Sequence, residues 1–169
     1  THRALLTMAQ QLLMLTPPRG PDDVVLHGAA ISHGSGCLLF HHIAAGAANA
    51  FPLTRSFDPP RIFDAIARHR VTTMFLVPTM INILLNAPER RRYDHTSLHT
   101  VIYGGAPMYV EHLEASLAAF GPVFAQIFGQ GEAPMTMTVL PQAEHVLDDP
   151  VARRRLASAG RETPAVRVR

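Results

Sequence analysis

Residues 99–132 read HTVIYGGAPMYVEHLEASLAAFGPVFAQIFGQGE. An apolar run ends in two glycines, Gly104 and Gly105. A helical pattern then runs from Met108 to a stop at Gly121, and a second apolar run ends in the turn Gly129–Glu132. Glycine closes a helix readily because it takes a left-handed conformation without a Cβ clash. Strand, helix and strand following one another without a hairpin signal predict a parallel sheet covered by helices.

The same alternation extends on both sides. Leu5, Leu6, Met8, Ala9, Leu12, Leu13 and Leu15 recur at helical spacing and predict a largely buried first helix. TPPRGPDD (16–23) is a proline-rich connector, VVLHGAAIS (24–32) a buried strand, and HGSG (33–36) a loop with two glycines. A second helix is expected from Cys37 to about Ala48, then a short strand in NAFPLTR (49–55). Asp58 with Pro59 and Pro60 supplies a cap and first turn for RIFDAIARHR (61–70). VTTMFLVP (71–78) is a strand that stops at Pro78, and TMINILLNAPER (79–90) a helix capped by Thr79. DPVARRRLASAG (149–160) predicts the last helix and VRVR (166–169) the middle of a strand. The expected fold is α/β, a mainly parallel sheet with strands near 24–31, 71–77, 100–104 and 123–128.

The 169 residues are 47% apolar and 17% charged, with a formal net charge of +2, a composition that suits one globular core and excludes a disordered chain. The arginine clumps 90–92 and 153–155 lack the interleaved aromatics of a nucleic-acid surface and read as solvated, the second on a helix face. One cysteine, Cys37, excludes a disulfide framework and makes a reducing, cytoplasmic setting the default. No apolar stretch is long enough to span a bilayer. His41 and His42, adjacent in a helical pattern, point about 100° apart and read as structural. The chain opens at Thr1 without a methionine, directly in a helical pattern, which reads as a piece of a longer protein.

Three expected strand ends carry glycines, SHGSG (32–36), YGGAP (103–107) and FGQGE (128–132). In open parallel sheets ligands bind beyond the carboxyl ends of the strands, so the three ends predict a shared cleft. A carboxylate just past the last glycine turn, Glu132, suits Mg²⁺, a hard cation usually bound together with substrate phosphates.

The succession SHGSG, LVPTM, VIYGGAPM, QIFGQGEAPMT and GRETP resembles the middle of the large N-terminal domain of adenylate-forming enzymes, a superfamily that includes acyl-CoA synthetases. The resemblance covers nearly the whole chain. It implies that Gly104, Gly105, Ala106 and Pro107 line an adenine pocket with Phe128, Gly129 and Gly131, and that Phe128 stacks on the base. It implies that Glu132 holds Mg²⁺ against the phosphates of ATP and so serves catalysis, and that His33 borders an acyl pocket. Val77, Pro78, Met80 and Ile81 give that pocket an apolar lining, suited to a fatty or aromatic acid, with CoA as the second acceptor. Gly131 departs from the family, which has threonine or serine there to contact the adenylate phosphate.

The family's phosphate loop precedes the position of Thr1, and its ribose-binding aspartate and lysine-bearing C-terminal domain follow Arg169. Residues 1–169 are thus expected to be part of an AMP-binding domain, inactive alone and prone to self-association through an exposed edge. A non-catalytic binding or scaffold module is the other reading. A serine hydrolase built on Ser35 fails, because the elbow G-x-S-x-G needs glycine where His33 stands.

Overall fold

In the computed structural model, which describes residues 1–16, 20–54 and 56–168, strand β3 (Thr73–Leu76) is buried at all four positions. A strand buried on both faces has to be apolar throughout, and Met74, Phe75 and Leu76 meet that demand. On one side of it lie β1 (Val24–Leu26) and β2 (Ala48–Ala50), on the other β4 (Thr100–Tyr103), β5 (Phe124–Gln130), β6 (Ala133–Leu140) and β7 (Arg161–Glu162). The order is β2-β1-β3-β4-β5-β6-β7, parallel from β2 through β5. Thus the expectation of a mainly parallel α/β sheet holds.

Side chains alternate across this sheet and separate two cores. Met74, Leu76, Val101, Tyr103 and Phe124 pack on α3 (Pro59–His69), α4 (Pro78–Asn86) and α5 (Val110–Phe120) through Phe63, Ile66, Ile81, Leu84, Leu113 and Leu117. Val25, Phe75, Ile102 and Ile127 face the other way, onto Met8 and Leu12 of α1 (His2–Leu15) and Leu38 of α2 (Gly34–Ala44). Each such side chain contributes about 1.5–3 kcal/mol on full burial.

The sequence reading needs correction at several points. The absence of hairpins does not hold: β6 pairs antiparallel with β5 across the two residues Gly131 and Glu132, so the second apolar run turns back instead of crossing over. The register shifts between Phe128 and Gln130, and Met135, in the stretch of β6 opposite, has a positive φ of 61°. Helix α4 begins at Pro78 with Val77, not Thr79, at the cap position; proline fits a first helical turn because its missing N–H has no helical partner there. Helix α2 starts at Gly34, inside the expected glycine loop, and ends at Ala44. The last helix, α6 (Pro150–Arg155), is half the expected length, with Asp149 capping Val151 and Ala152.

Among the expected strands, β2 covers only 48–50, and Arg55 lies outside the described residues, as do residues 17–19 of the connector. Val166–Val168 carry no regular structure, and Arg169 is likewise outside the described residues. Helix α1 buries only Met8, Ala9 and Leu12, leaving Leu6 and Met14 exposed, because the described chain packs against one side of it. Arg90 is not simply solvated, since its guanidinium lies over the Phe120 ring and its Nε donates to the Leu85 carbonyl.

His41 and His42 sit inside the core of the α2 layer at 0% and 1% exposure, edge to face. His42 bonds the Leu38 carbonyl through Nδ1, whereas His41 makes no hydrogen bond of good geometry to the described residues. Burial, reinforced by the neighbouring His42, pushes the His41 pKa down to about 3. A lowered folded pKa means that stability is complete above the unfolded value of about 6.5 and is lost progressively as pH falls below it, at about 1.4 kcal/mol per unit. The chain is therefore expected to lose about 2 kcal/mol from this residue alone between pH 7.5 and pH 5. Urea unfolding at the two pH values should show a smaller loss in His41→Leu than in the native chain.

Candidate functional site

Beyond the carboxyl end of β4, alongside the second half of β5, a cleft of about 410 Å³ opens. Gly105, Ala106, Pro107 and Met108 form one wall, Gln126, Ile127, Phe128 and Gly129 of β5 the second, and Leu156, Ala157, Ser158 and Ala159 the third. Two of the three expected strand ends thus meet. The third, SHGSG, does not, because it follows β1, which is separated from β4 by β3.

The two glycines after β4 have different reasons. A Cβ on the buried Gly104 would lie 2.3 Å from the Ile127 carbonyl oxygen, so only glycine lets the loop lie against β5. Gly105 has a φ of 81°, a left-handed turn that swings the chain out to become the cleft wall. Phe128 stands 41% exposed on the facing wall, a free aromatic surface rather than a core side chain. Flat, apolar walls of this kind suit a planar ring, which stacks on an aromatic face.

Sequence reasoning missed the third wall, reading 156–159 as helix. Leu156, 1% exposed, anchors it in the core. Arg153 reaches Glu114 of α5, Arg155 and Arg161 both pair with Glu144, and the Thr138 hydroxyl donates to the Ala159 carbonyl. Gln126, on the cleft floor, was missed as well. Its signal was the strand parity that puts it on the same face as Phe124, two residues before.

The remaining candidates lie elsewhere. Gly131 and Glu132 form the exposed tip of the β5–β6 hairpin and do not line the cleft. A Cβ at Gly131 would meet nothing within 4 Å, so a threonine or serine has room there. Among the described residues no group of three or more His, Cys, Asp and Glu is placed to hold a metal. His33 is exposed at the N-cap of α2, bonded to the Ser32 hydroxyl.

Val77 and Met80 are half-buried, whereas Pro78 and Ile81 are buried, Ile81 within the α3–α4–α5 core at 1% exposure. Ile81 therefore fills space as core and leaves none for a ligand. Val77 lies beside the cleft loop, its Cγ1 3.5 Å from where a Gly105 Cβ would stand.

The structure also assembles Ser35, His27 and Asn49 into a hydrogen-bonded row, with His27 Nδ1 to Ser35 and Nε2 to Asn49 both 2.9 Å. Ser35 is 0% exposed, so no substrate reaches its hydroxyl, and the row ties α2 to β1 and β2. A wider cleft of about 720 Å³ lies at the opposite ends of β1, β3 and β4, lined by residues such as Arg68, His69 and Thr72. Its hydroxyls are engaged: Thr72 bonds Val24 and Ser97 bonds the Val71 carbonyl. Sheet topology favours the smaller cleft as the ligand site. No helix among the described residues is long and apolar enough to cross a membrane.

Comparison with known proteins gives a consistent result. The model of a family described as AMP-binding enzyme matches residues 1–169. A medium/long-chain-fatty-acid–CoA ligase, FadD8 of Mycobacterium tuberculosis, is 39% identical over 112 residues, covering 66% of this chain and 19% of that protein. 4-Coumarate–CoA ligase 2 of Oryza sativa subsp. japonica is 33% identical over 148 residues, 83% of this chain and 26% of that protein. The solved structure of the amide bond synthetase McbA from Marinactinospora thermotolerans superposes with a TM-score of 0.83 at 28% identity, covering 95% of this chain and 31% of that one. The chain spans about a fifth to a quarter of the length of the curated relatives it matches.

The glycine geometry gives a paired expectation. Gly104→Ala should destabilise the chain by about 1–3 kcal/mol, the cost of forcing atoms into a packed site, while Gly131→Ala should stay within about 0.5 kcal/mol, as surface changes do. Urea midpoints of the two variants measure the difference, and equal effects would remove the packing reason for Gly104.

Proposed function

Since the chain belongs to the AMP-binding enzyme family, we propose that it supplies the adenine-side wall of an acyl-CoA synthetase that activates a fatty or aromatic carboxylic acid with ATP. The observation that carries this reading is the meeting of the Gly104–Gly105 turn and the exposed face of Phe128 in one cleft, beyond the end of β4 and alongside its parallel neighbour β5. The base enters between the loop after β4, which Gly105 turns outward, and the Phe128 ring, which offers a stacking face. The acid's carboxylate oxygen attacks the α-phosphorus, the bond to the β-phosphate bridge breaks, and pyrophosphate leaves. The thiolate of CoA then attacks the acyl carbonyl and AMP departs with the oxygen the acid brought.

Glu132, exposed at the hairpin tip, would hold Mg²⁺, an ion usually bound by one or two carboxylates together with substrate phosphates. The ion would offset phosphate charge as it develops. Val77 and Met80, both half-buried, are the residues proposed to offer apolar contact to the acyl group, with His33, exposed at the start of α2, as its border. The ligase names of FadD8 and the coumarate enzyme support an apolar acid as substrate. The phosphate loop, the ribose-binding aspartate and the lysine domain act from outside residues 1–169.

Two expectations follow. In the intact enzyme, Glu132→Gln should reduce acid-dependent pyrophosphate exchange strongly, because metal bridging to phosphate is worth several kcal/mol. A loss below about threefold, less than 1 kcal/mol at the barrier, would return Glu132 to an ordinary surface charge. The 169-residue chain alone, given ATP, Mg²⁺, CoA and a panel of fatty and aromatic acids, should yield no acyl-CoA and should sediment as a self-associated species. Turnover near 1 s⁻¹, ordinary for an enzyme, would show that the outside parts are dispensable.

A further inference from the structure

Under the cleft floor lies a hydrogen-bonded row that the activity above does not use. His145 follows the short turn Gln142–Glu144 and is 2% exposed. Its Nδ1 is 2.9 Å from the Pro141 carbonyl and its Nε2 3.0 Å from the Tyr103 hydroxyl. Tyr103, 0% exposed, is also 3.1 Å from Oε1 of Gln126, which is half-buried and lines the cleft.

We propose that His145 is a positioning residue for the cleft, fixing through the Tyr103 hydroxyl which end of the Gln126 carboxamide faces the ligand. The proposal rests on the reading of this cleft as a nucleotide site. A carbonyl only accepts, so His145 Nδ1 carries a proton and donates it to Pro141. In the neutral ring Nε2 is then bare and accepts from Tyr103, which has one proton to give.

With that proton spent, the Tyr103 oxygen is an acceptor, and facing it with Oε1 would set two acceptors against each other. The two ends of a carboxamide are distinguished only by their bonding. A half-turn of the Gln126 amide lets its NH₂ donate to Tyr103, and the carbonyl oxygen then faces the cleft. The cleft floor thereby becomes a hydrogen-bond acceptor, complementary to a ring carrying an exocyclic amine and repulsive to one carrying an oxo group at that place.

The row reverses on one proton. A doubly protonated His145 donates to Tyr103, Tyr103 donates to Gln126 Oε1, and the amide turns its NH₂ to the cleft. The surroundings oppose that charge near neutral pH: burial holds His145 below the ordinary histidine value, only partly offset by the Pro141 carbonyl and by Glu144. Glu144 is itself engaged by Arg155 of α6 and Arg161 of β7, while β4 presents Tyr103 to the row and β5 presents Gln126.

The test has two arms, the first on the 169-residue chain. With ¹⁵N-labelled histidine, the NMR signals of His145 at pH 7.5 should show a neutral ring with its proton on Nδ1. A proton on Nε2, or a charged ring, overturns the proposal without any ligand. In the second arm, AMP and IMP, which differ in an amine against an oxo group on the purine, are titrated by calorimetry into the intact enzyme and its variants. The native enzyme should prefer AMP by roughly tenfold, about 1.4 kcal/mol, the scale of one hydrogen bond.

His145→Leu should reduce that preference below about threefold (under 1 kcal/mol), and His145→Gln, whose amide oxygen can accept where Nε2 did, should restore it. The preference of the native enzyme should also fall in acid, while that of His145→Gln should not. An unchanged ratio in a folded His145→Leu overturns the relay. Failure of every variant to bind AMP overturns the nucleotide reading instead, and the ring tautomer then decides the relay alone.

Discussion

The cleft exists because the loop leaving β4 lies directly on β5. With its Cβ position 2.3 Å from the Ile127 carbonyl, Gly104 brings the two strands' exits together, and the left-handed Gly105 then turns the chain away to open the space between them. A side chain at residue 104 would push this loop off the strand, and with it Ala106, Pro107 and Met108, which form the wall. The parallel pairing Val101 with Phe124 through Tyr103 with Gln126 sets the register in which Gly105 faces Phe128.

The two faces of the sheet are finished to different degrees. On the α3–α4–α5 side the helices bury their apolar stripes, and Phe63, Ile66, Ile81 and Leu113 are 0 to 1% exposed. On the other side α1 and α2 seal the sheet with Leu12 and Leu38 while presenting Leu6, Met14 and Ile43 outward. The buried histidines His27, His41, His42 and His145 are held below their ordinary pKa chiefly by burial. The fold thus carries an acid sensitivity on both faces of the sheet, in α2 and beneath the cleft.

The third wall shows how distant residues build one surface. Leu156 to Ala159 stand where they do because Arg153 reaches α5, Arg155 and Arg161 share Glu144, and Thr138 of β6 holds the Ala159 carbonyl. Exposed ion pairs contribute little to stability individually, in the range of about 0–1 kcal/mol. Their effect here is placement: they fix a short helix whose own six residues are too few to hold a shape alone.

Much of the architecture was legible in local pattern. The apolar periods of 61–69 and 110–120, the glycine stop at Gly121 and the buried runs at 73–76 and 100–103 each identify an element from a few neighbouring residues, because helix and strand periods are local properties. Local pattern also marked the glycines Gly104 and Gly105, and the family resemblance marked Phe128. It could not show that Gly131 and Glu132 begin a hairpin, since β6 is recognised only by its pairing with β5. Nor could it show that Ile81 is core, that residues 156–159 wall the cleft, or that His145 reaches Gln126 through Tyr103. Sequence by itself determined the alternating α/β order and the family's glycine-rich turns, which depend on propensity and backbone freedom; only the tertiary structure decided which turns meet and which polar atoms face one another, because those depend on contacts between residues far apart in the chain.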